Sequence, residues 1–229
     1  MKITFHGHSC FLIESNQTRI LIDPFLSGNP TAILQPDQVN VDVILLTHAH
    51  NDHLGDTVEI AKRNKAQVIA SHELANWLSW QGVEAHGMSI GGKYSTNFGQ
   101  VQMTPAFHGN GYIDEEKKEI IYMGMPAGFV IQVDGKNLYH AGDTSLFSDM
   151  QLIKRKYEID LAFLPIGDNF TMGPDDAVLA AEWVGAKQVI PMHYNTFPLI
   201  EQDPHAFVER LAEKNIQGIV LEVGKSINL

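Results

Sequence analysis

The sequence predicts an α/β fold with sheets inside and helices outside, built as one domain over residues 1–229. Three observations predict it. Short apolar runs separated by turn residues open the chain. Strand-like and helix-like runs then alternate in both halves. Five strand-like runs lead into a His or Asp. Open α/β sheets gather ligands at the carboxyl ends of their strands, so this last pattern places one cleft at one sheet edge. The 229 residues are 44% hydrophobic, enough apolar material to fill such a core.

Lys2–His6, Cys10–Glu14 and Arg19–Ile22 are short runs bounded by turn residues, as a strand meander requires. Val43–Leu46 is an apolar strand, and Leu54–Asn64 carries the spacing of a helix. Gln67–Ala70 repeats the strand signal and Glu73–Gln81 the helix signal. From about residue 87 to 132 the chain is Gly-rich, with strands over Gln100–Pro105, Ile120–Met123 and Gly128–Val133. Within it, Asp114-Glu115-Glu116-Lys117-Lys118 reads as an exposed loop. Strand Asn137–His140, helix Phe147–Lys156, strand Leu161–Pro165 and helix Asp175–Val184 follow. Strand Gln188–Pro191, helix Pro204–Lys214 and strand Ile219–Glu222 complete the second half. No linker, low-complexity tract or close repeat interrupts this order, which suggests a single domain with a pseudo-duplicated layout.

Asp and Glu total 27 against 16 Lys and Arg, a formal net charge of −11. That balance supplies no broad electrostatic footprint for nucleic acid or an anionic membrane, although bound dications would invert the sign locally. No run approaches 18 consecutive apolar residues, so no transmembrane helix is expected. The N-terminus starts a strand at once and shows no signal peptide. Cys10 is the only cysteine and lies in the apolar run Cys10-Phe11-Leu12-Ile13. It is read as core, and a chain with no intrachain disulfide suits a reducing cytoplasm. Met88, Met103, Met123, Met125, Trp77 and Trp80 are read as core before interface; assembly as a homo-oligomer is left open.

The stretch Thr47-His48-Ala49-His50-Asn51-Asp52-His53 sets three histidines and one aspartate within six residues, directly after an apolar strand. Neutral imidazole and carboxylate are the side chains that hold zinc-like divalent ions at neutral pH. One such His alone is more often a surface or hydrogen-bonded residue, and Asp52 alone would serve as a helix N-cap. Four in this order point to metal. His48 and His50 alternate on an extended loop and can share one ion. Asp52 and His53 sit where the chain turns into a helix and can face a second. Other strands lead into Asp23, Asp143, Asp168 and His193.

These residues resemble the H-x-H-x-D-H motif of the metallo-β-lactamase superfamily. Three further positions match its remaining ligands: His108 in Pro105-Ala106-Phe107-His108-Gly109, Asp143 in His140-Ala141-Gly142-Asp143-Thr144, and His193 in Pro191-Met192-His193-Tyr194. Gly7-His8-Ser9-Cys10-Phe11, Ile22-Asp23-Pro24-Phe25 and the run from Pro165 to Gly173 narrow the resemblance. They look like a branch of metal-dependent hydrolases similar to L-ascorbate-6-phosphate lactonase and, more distantly, to a phospholipase D-type phosphodiesterase. The resemblance implies a four-layer αββα sandwich with two divalent metal ions at the sheet edge, zinc first, with manganese or iron as alternatives. It implies His48, His50 and His108 on one ion, Asp52, His53 and His193 on the other, and Asp143 bridging both. Flavodiiron oxygen reductases carry Glu where this chain has His50, which favours hydrolysis over oxygen reduction. From this sequence neither the helical C-terminal domain of glyoxalase II-like thioesterases, nor the basic arm of transfer-RNA nucleases, nor the export signal of secreted β-lactamases is expected.

The expected activity is hydrolysis of a small-molecule, ester-like substrate (a lactone, ester or phosphodiester) by a metal-bridged hydroxide. Two dications about 3.5–4 Å apart lower the pKa of a shared water toward neutrality and polarise the scissile oxygen. Asp52 is a catalytic candidate that orients the hydroxide or carries its proton to the leaving group. His8 is the second catalytic candidate, against substrate or leaving group, with a buried hydrogen-bonded His as the other reading. Asp23 is either a plain Asp–Pro turn or the carboxylate that receives the outer ring N–H of a metal-bound His. Thr171, near the helix start at Asp175, and Tyr194 and Asn195 are candidates to line the cleft. His6, His72, His86, His140 and His205 are read as structural or surface. Two alternatives stand beside this reading. One is a metal-dependent nuclease or phosphodiesterase on RNA or DNA, disfavoured by the acidity. The other is a non-catalytic metal-binding protein, disfavoured by the full ligand set.

Overall fold

A computed structural model describes residues 1–229 as two seven-stranded sheets with helices on their outer faces. The first sheet runs β1 (Lys2–Phe5), β2 (Phe11–Glu14), β3 (Arg19–Ile22), β4 (Val43–Leu45), β5 (Gln67–Ser71) and β6 (Ala85–Met88) in spatial order. The C-terminal run Ser226–Asn228 adds antiparallel to β1. β1 to β3 form the antiparallel meander; β3 to β6 are parallel. α1 (Asn51–Leu54) and α2 (Thr57–Asn64) link β4 to β5, and α3 (His72–Trp80) links β5 to β6.

The second sheet repeats this plan. β7 (Lys93–Thr96) and β8 (Gly99–Pro105) lead to a separate hairpin, β9 (Gly111–Asp114) and β10 (Glu119–Tyr122). β11 (Ala127–Val133) and β12 (Lys136–His140) continue antiparallel beside β8. β13 (Leu161–Pro165), β14 (Gln188–Met192) and the short β15 (Gln217–Gly218) then add in parallel. α4 (Gln151–Lys156), α5 (Pro174–Val184) and α6 (Pro204–Glu213) are the connections.

Period-two alternation places the core. Ile13, Ile20, Ile22, Leu45 and Ile69 join the apolar cluster that spans both sheets, where the Phe11 and Phe163 rings stand 4.3 Å apart. Leu21, Ile44, Val68 and Ala70 point the other way, onto Ile60, Leu74 and Leu78 of α2 and α3. Both strand faces are therefore buried, which is why these strands read as continuous apolar runs. Each fully buried Ile or Leu contributes roughly 1.5–3 kcal/mol.

Two of the expected elements change. The helix over Leu54–Asn64 is broken at Gly55, whose φ is 40° and where a Cβ would strike the Pro24 carbonyl. Asp56 beside it accepts from the amides of Leu26 and Ser27 at 2.9 and 2.8 Å, so the break docks the Pro24–Ser27 loop. The strand over Ile219–Glu222 does not form: pairing stops at Gly218, pressed against Val208 of α6, and the chain crosses to the first sheet, where Gly224 donates to Phe5 O. The charged run from Asp114 to Lys118 is an exposed loop from Glu115 onward, as expected, and makes the turn of the β9–β10 hairpin. β6, β7 and the Ser226–Asn228 strand carry weak signals because they are sheet-edge strands whose residues, apart from the buried Met88, are exposed or half-buried, with a Gly in β6.

His6, just after β1, is 7% exposed, and neither ring nitrogen finds a partner. Burial, aided by Lys2 and opposed by Glu14, lowers its pKa from 6.5 to about 4. The unfolded chain therefore takes up a proton near pH 6.5 that the folded chain refuses until about pH 4. The stability contributed by neutral His6 is present above pH 6.5 and lost as pH falls toward 4, by about 3 kcal/mol in full. Denaturant melts of His6→Leu should show a shallower loss of stability between pH 6.5 and 4 than wild type; parallel curves would refute this account.

Candidate metal centre

The ligand-bearing stretch leaves β4 as an extended loop pinned from three sides. Thr47 O accepts from Ala127 N at 3.0 Å, the Ala49 amide donates to Asn110 Oδ1 at 2.7 Å, and the Thr47 amide donates to Asp23 Oδ1 at 2.9 Å. α1 begins at Asn51, with His50 at the cap position and no side-chain cap bond. Asp52 therefore lies inside the first turn, and its carboxylate is free for the cleft rather than used as a cap.

The centre is organised around one carboxylate oxygen. Asp143 Oδ2 stands 3.0 Å from His193 Nε2, 3.2 Å from His53 Nε2, 3.6 Å from His108 Nε2 and 4.0 Å from His48 Nε2. On one side His50 Nδ1 lies 3.0 Å from His48 Nε2 and 3.1 Å from His108 Nε2. On the other, Asp52 Oδ2 lies 3.7 Å from His193 Nε2 and 3.9 Å from His53 Nε2. The ligand atoms of His48, His50 and His108 fall within 4.8 Å of one another, as do those of His8, Asp52, His53 and His193 and, linking the two, His48, His53 and Asp143. The structure thus brings all seven sequence-predicted ligands together.

The atoms in this cluster fit divalent ions. His53 Nε2, both ring nitrogens of His193 and Asp143 Oδ1 are buried without a hydrogen bond. Orphaned buried polar atoms are rare and call for a partner, and a cation accepted by several of them supplies one. Burial holds His48 well below the usual imidazole pKa, with the neighbouring His53 adding to the effect, so it stays neutral and keeps a lone pair. At His53 and His193 burial opposes protonation, but Asp143 and its neighbours outweigh it; His53 rises well above the ordinary value and His193 to about 9. Burial raises Asp143 and Asp52, yet the histidines around them bring both well below the carboxylate range. The carboxylates therefore draw positive charge onto those nitrogens, and metal binding there would displace protons.

Asp23 stands behind both halves of the centre. Its Oδ2 accepts from His53 Nδ1 at 2.8 Å and from Thr47 Oγ1 at 2.6 Å, and Thr47 Oγ1 accepts from His48 Nδ1 at 3.0 Å. This network assigns the ring protons of His48 and His53 to Nδ1 and turns both Nε2 lone pairs inward. His140 is different: Nε2 donates to Ser9 O at 3.2 Å and Nδ1 accepts from the Gly142 amide at 3.2 Å, so both nitrogens are used in shaping the turn before Asp143.

His8 lies behind Asp52 at 1% exposure, its Nε2 3.0 Å from Asp52 Oδ2 and its Nδ1 2.9 Å from Thr196 Oγ1. Burial, reinforced by His193, lowers it to about 4. It is not among the residues that line the open cavity of about 300 Å³ over the centre, whose walls are Ile113, Phe170 and Phe197. Thr171, Tyr194 and Asn195 also lie outside that cavity. Thr171 Oγ1 donates to Met172 O, Tyr194 packs at the edge of the main core, and Asn195 Oδ1 accepts from the Gln202 amide. Asp168 opens onto a separate acidic concavity with Asp175, Asp176 and Asp203. His72 bonds Asn76, His86 stacks on Tyr94, and the His205 amide caps on Asp203.

Sequence reasoning overlooked Asn110, Thr196, Ile113 and Phe197. Asn110 alone carried a signal, a polar residue between glycines two positions after His108. The others act through contacts that only the folded chain makes.

Residues 2–193 match the beta-lactamase superfamily domain. The chain is 63% identical over 229 residues to a UPF0173 metal-dependent hydrolase of Bacillus cereus, covering 100% of both chains. It is 62% identical to a UPF0173 metal-dependent hydrolase of Bacillus anthracis, again over 100% of both. Among solved structures it is similar to Igni18, a metallo hydrolase of the archaeon Ignicoccus hospitalis, with a TM-score of 0.89, 36% identity, and coverage of 99% of this chain and 97% of that one. With these similarities the αββα arrangement and the His/Asp cluster have one common explanation: the chain belongs to the metallo-β-lactamase superfamily, among its UPF0173 metal-dependent hydrolases.

Proposed function

We propose that this chain is a dinuclear metal-dependent hydrolase that cleaves a small ester-like substrate, a lactone, ester or phosphodiester, in the cytoplasm. The observation that carries the reading is Asp143 Oδ2 among four inward-facing imidazole nitrogens, open to a cavity of about 300 Å³ on one side. His48, His50 and His108 would hold one ion, Asp52, His53 and His193 the other, with Asp143 shared. Zinc suits this donor set first, and manganese or iron are the alternatives. When bound, the ions supply Lewis acidity and a water of near-neutral pKa.

The chain's own residues do the rest. Asp52, 29% exposed at its side chain against 3% for Asp143, is the more exposed of the two carboxylates that line the cavity, placed to accept a proton from the attacking water and return it to the leaving oxygen. His8, neutral because it is buried, holds Asp52 in place through its Nε2–H while Thr196 orients the ring. Asp23 and Thr47 keep two ligand histidines in the metal-binding tautomer. The cavity size supports a small-molecule substrate, the single buried Cys10 supports a reducing compartment, and no helix is long and apolar enough to cross a membrane.

Elemental analysis of gently purified protein should find about two divalent ions per chain, and Asp143→Ala should lose both metal and turnover. Full activity in that variant would sink the proposal. Asp23→Asn keeps the shape but removes the charge that holds two ring protons. It should weaken metal affinity or activity by roughly 10–100-fold in a chelator competition or rate assay; wild-type values for both would show that Asp23 serves only the fold.

A further inference from the structure

Apart from the candidate ligands, four residues line the cavity above the metal centre: the exposed Asn51 at the start of α1, and three apolar side chains from three separate segments, Ile113 of β9, Phe170 from the loop between β13 and α5, and Phe197 from the loop after β14. Phe170 is 52% exposed and Ile113 40%. Ile113 is braced by Ile120 across the hairpin, with Gly111 leaving room for the Ile120 side chain: a Cβ there would meet it at 2.7 Å. The Phe197 ring lies edge-on to the His8 ring at 5.6 Å. No lining residue is Lys or Arg, and Lys117 at the hairpin turn is engaged by Asp114 at 2.7 Å.

We infer that the substrate is a carboxylic ester or lactone bearing an uncharged apolar group, received by Phe170, Ile113 and Phe197, and not a phosphodiester. This rests on the hydrolase reading above. Beyond any bound ions, walls built for a phosphodiester anion supply Arg, Lys or several free amides around the charge, and these supply three hydrocarbon side chains and the single amide of Asn51. In the step so assigned, a water oxygen bonds to the acyl carbon and the acyl–oxygen bond breaks. One water proton passes by way of the Asp52 carboxylate to the leaving oxygen, giving a carboxylic acid and an alcohol, or one hydroxy acid from a lactone.

The test uses zinc-loaded protein of measured metal content. p-Nitrophenyl acetate and hexanoate, γ-butyrolactone and a γ-lactone with a hexyl tail, and bis(p-nitrophenyl) phosphate are compared by kcat/KM. Calorimetric binding of acetamide and hexanamide is followed in parallel. The long-chain ester and lactone should be favoured over the short by roughly tenfold or more, the phosphodiester should be the poorest substrate, and hexanamide should bind more tightly than acetamide. Phe170→Ala and Ile113→Ala, at partly exposed positions, should each pull the long-to-short ratio toward one. A flat chain-length profile in both series, or a preference for the phosphodiester, overturns the inference and leaves the hydrolase reading standing. No turnover of any class by metal-loaded protein that still prefers hexanamide overturns the hydrolase reading itself.

Discussion

The buried carboxylate of Asp143 is the constraint on which the rest depends. It is 2% exposed, and its Oδ2 faces four imidazole nitrogens. Removing a charge from water costs several kcal/mol unless it is compensated, and compensation here must come from positive charge in the centre. Protons on His53 and His193 supply it in part, and a bound cation would supply it more fully, because the orphaned nitrogens of His53 and His193 and Asp143 Oδ1 are donor atoms that suit one. The centre is therefore held together by attraction between groups that no local propensity would bring into contact.

The architecture makes that contact affordable in backbone terms. Ligands and their supports follow β1, β3, β4, β8, β12 and β14, so each side chain leaves a strand anchored on both faces by apolar packing. The strands must then stop and turn sharply. His8, Asp23 and His193 adopt φ of 55°, 44° and 54°, a left-handed region that non-glycine residues seldom occupy. Such conformations cost of order 1–3 kcal/mol each and persist only where surrounding structure over-determines them. Here the Asp23 carboxylate binds Thr47 and His53, and the His193 amide donates to His8 O at 2.8 Å, so strained residues hold one another in place across the two sheets.

Much of this was legible in the sequence because it is written locally. His48 to His53 announce themselves by density, and Asp143 and His193 by following apolar strands. The strands themselves were readable where both faces are buried, as in β3, β4 and β13. What escaped depends on closure of the chain on itself. Gly55 looks like an ordinary helical Gly until Pro24 is packed against it. The chain after Gly218 looks like a strand until Val208 of α6 presses on it. Asn110, which fixes the Ala49 amide from 61 residues away, is marked only by its flanking glycines, and Thr196, which orients His8 from 188 residues away, leaves no local pattern at all.

The same division separates the chemistry from its specificity. The reacting groups come from strand ends, which are rigid because the core behind them is rigid. The walls come from the β9–β10 hairpin and from loops after β13 and β14, outside the two large sheets. On the proposed reading, a change at Ile113 or Phe170 would alter what fits without touching Asp143, whereas a change at Asp23 would reach His53 directly and His48 through Thr47. The fold thus lets the walls vary independently of the metal cluster, and the apolar character of these particular walls is a property of this cavity rather than a requirement of the fold.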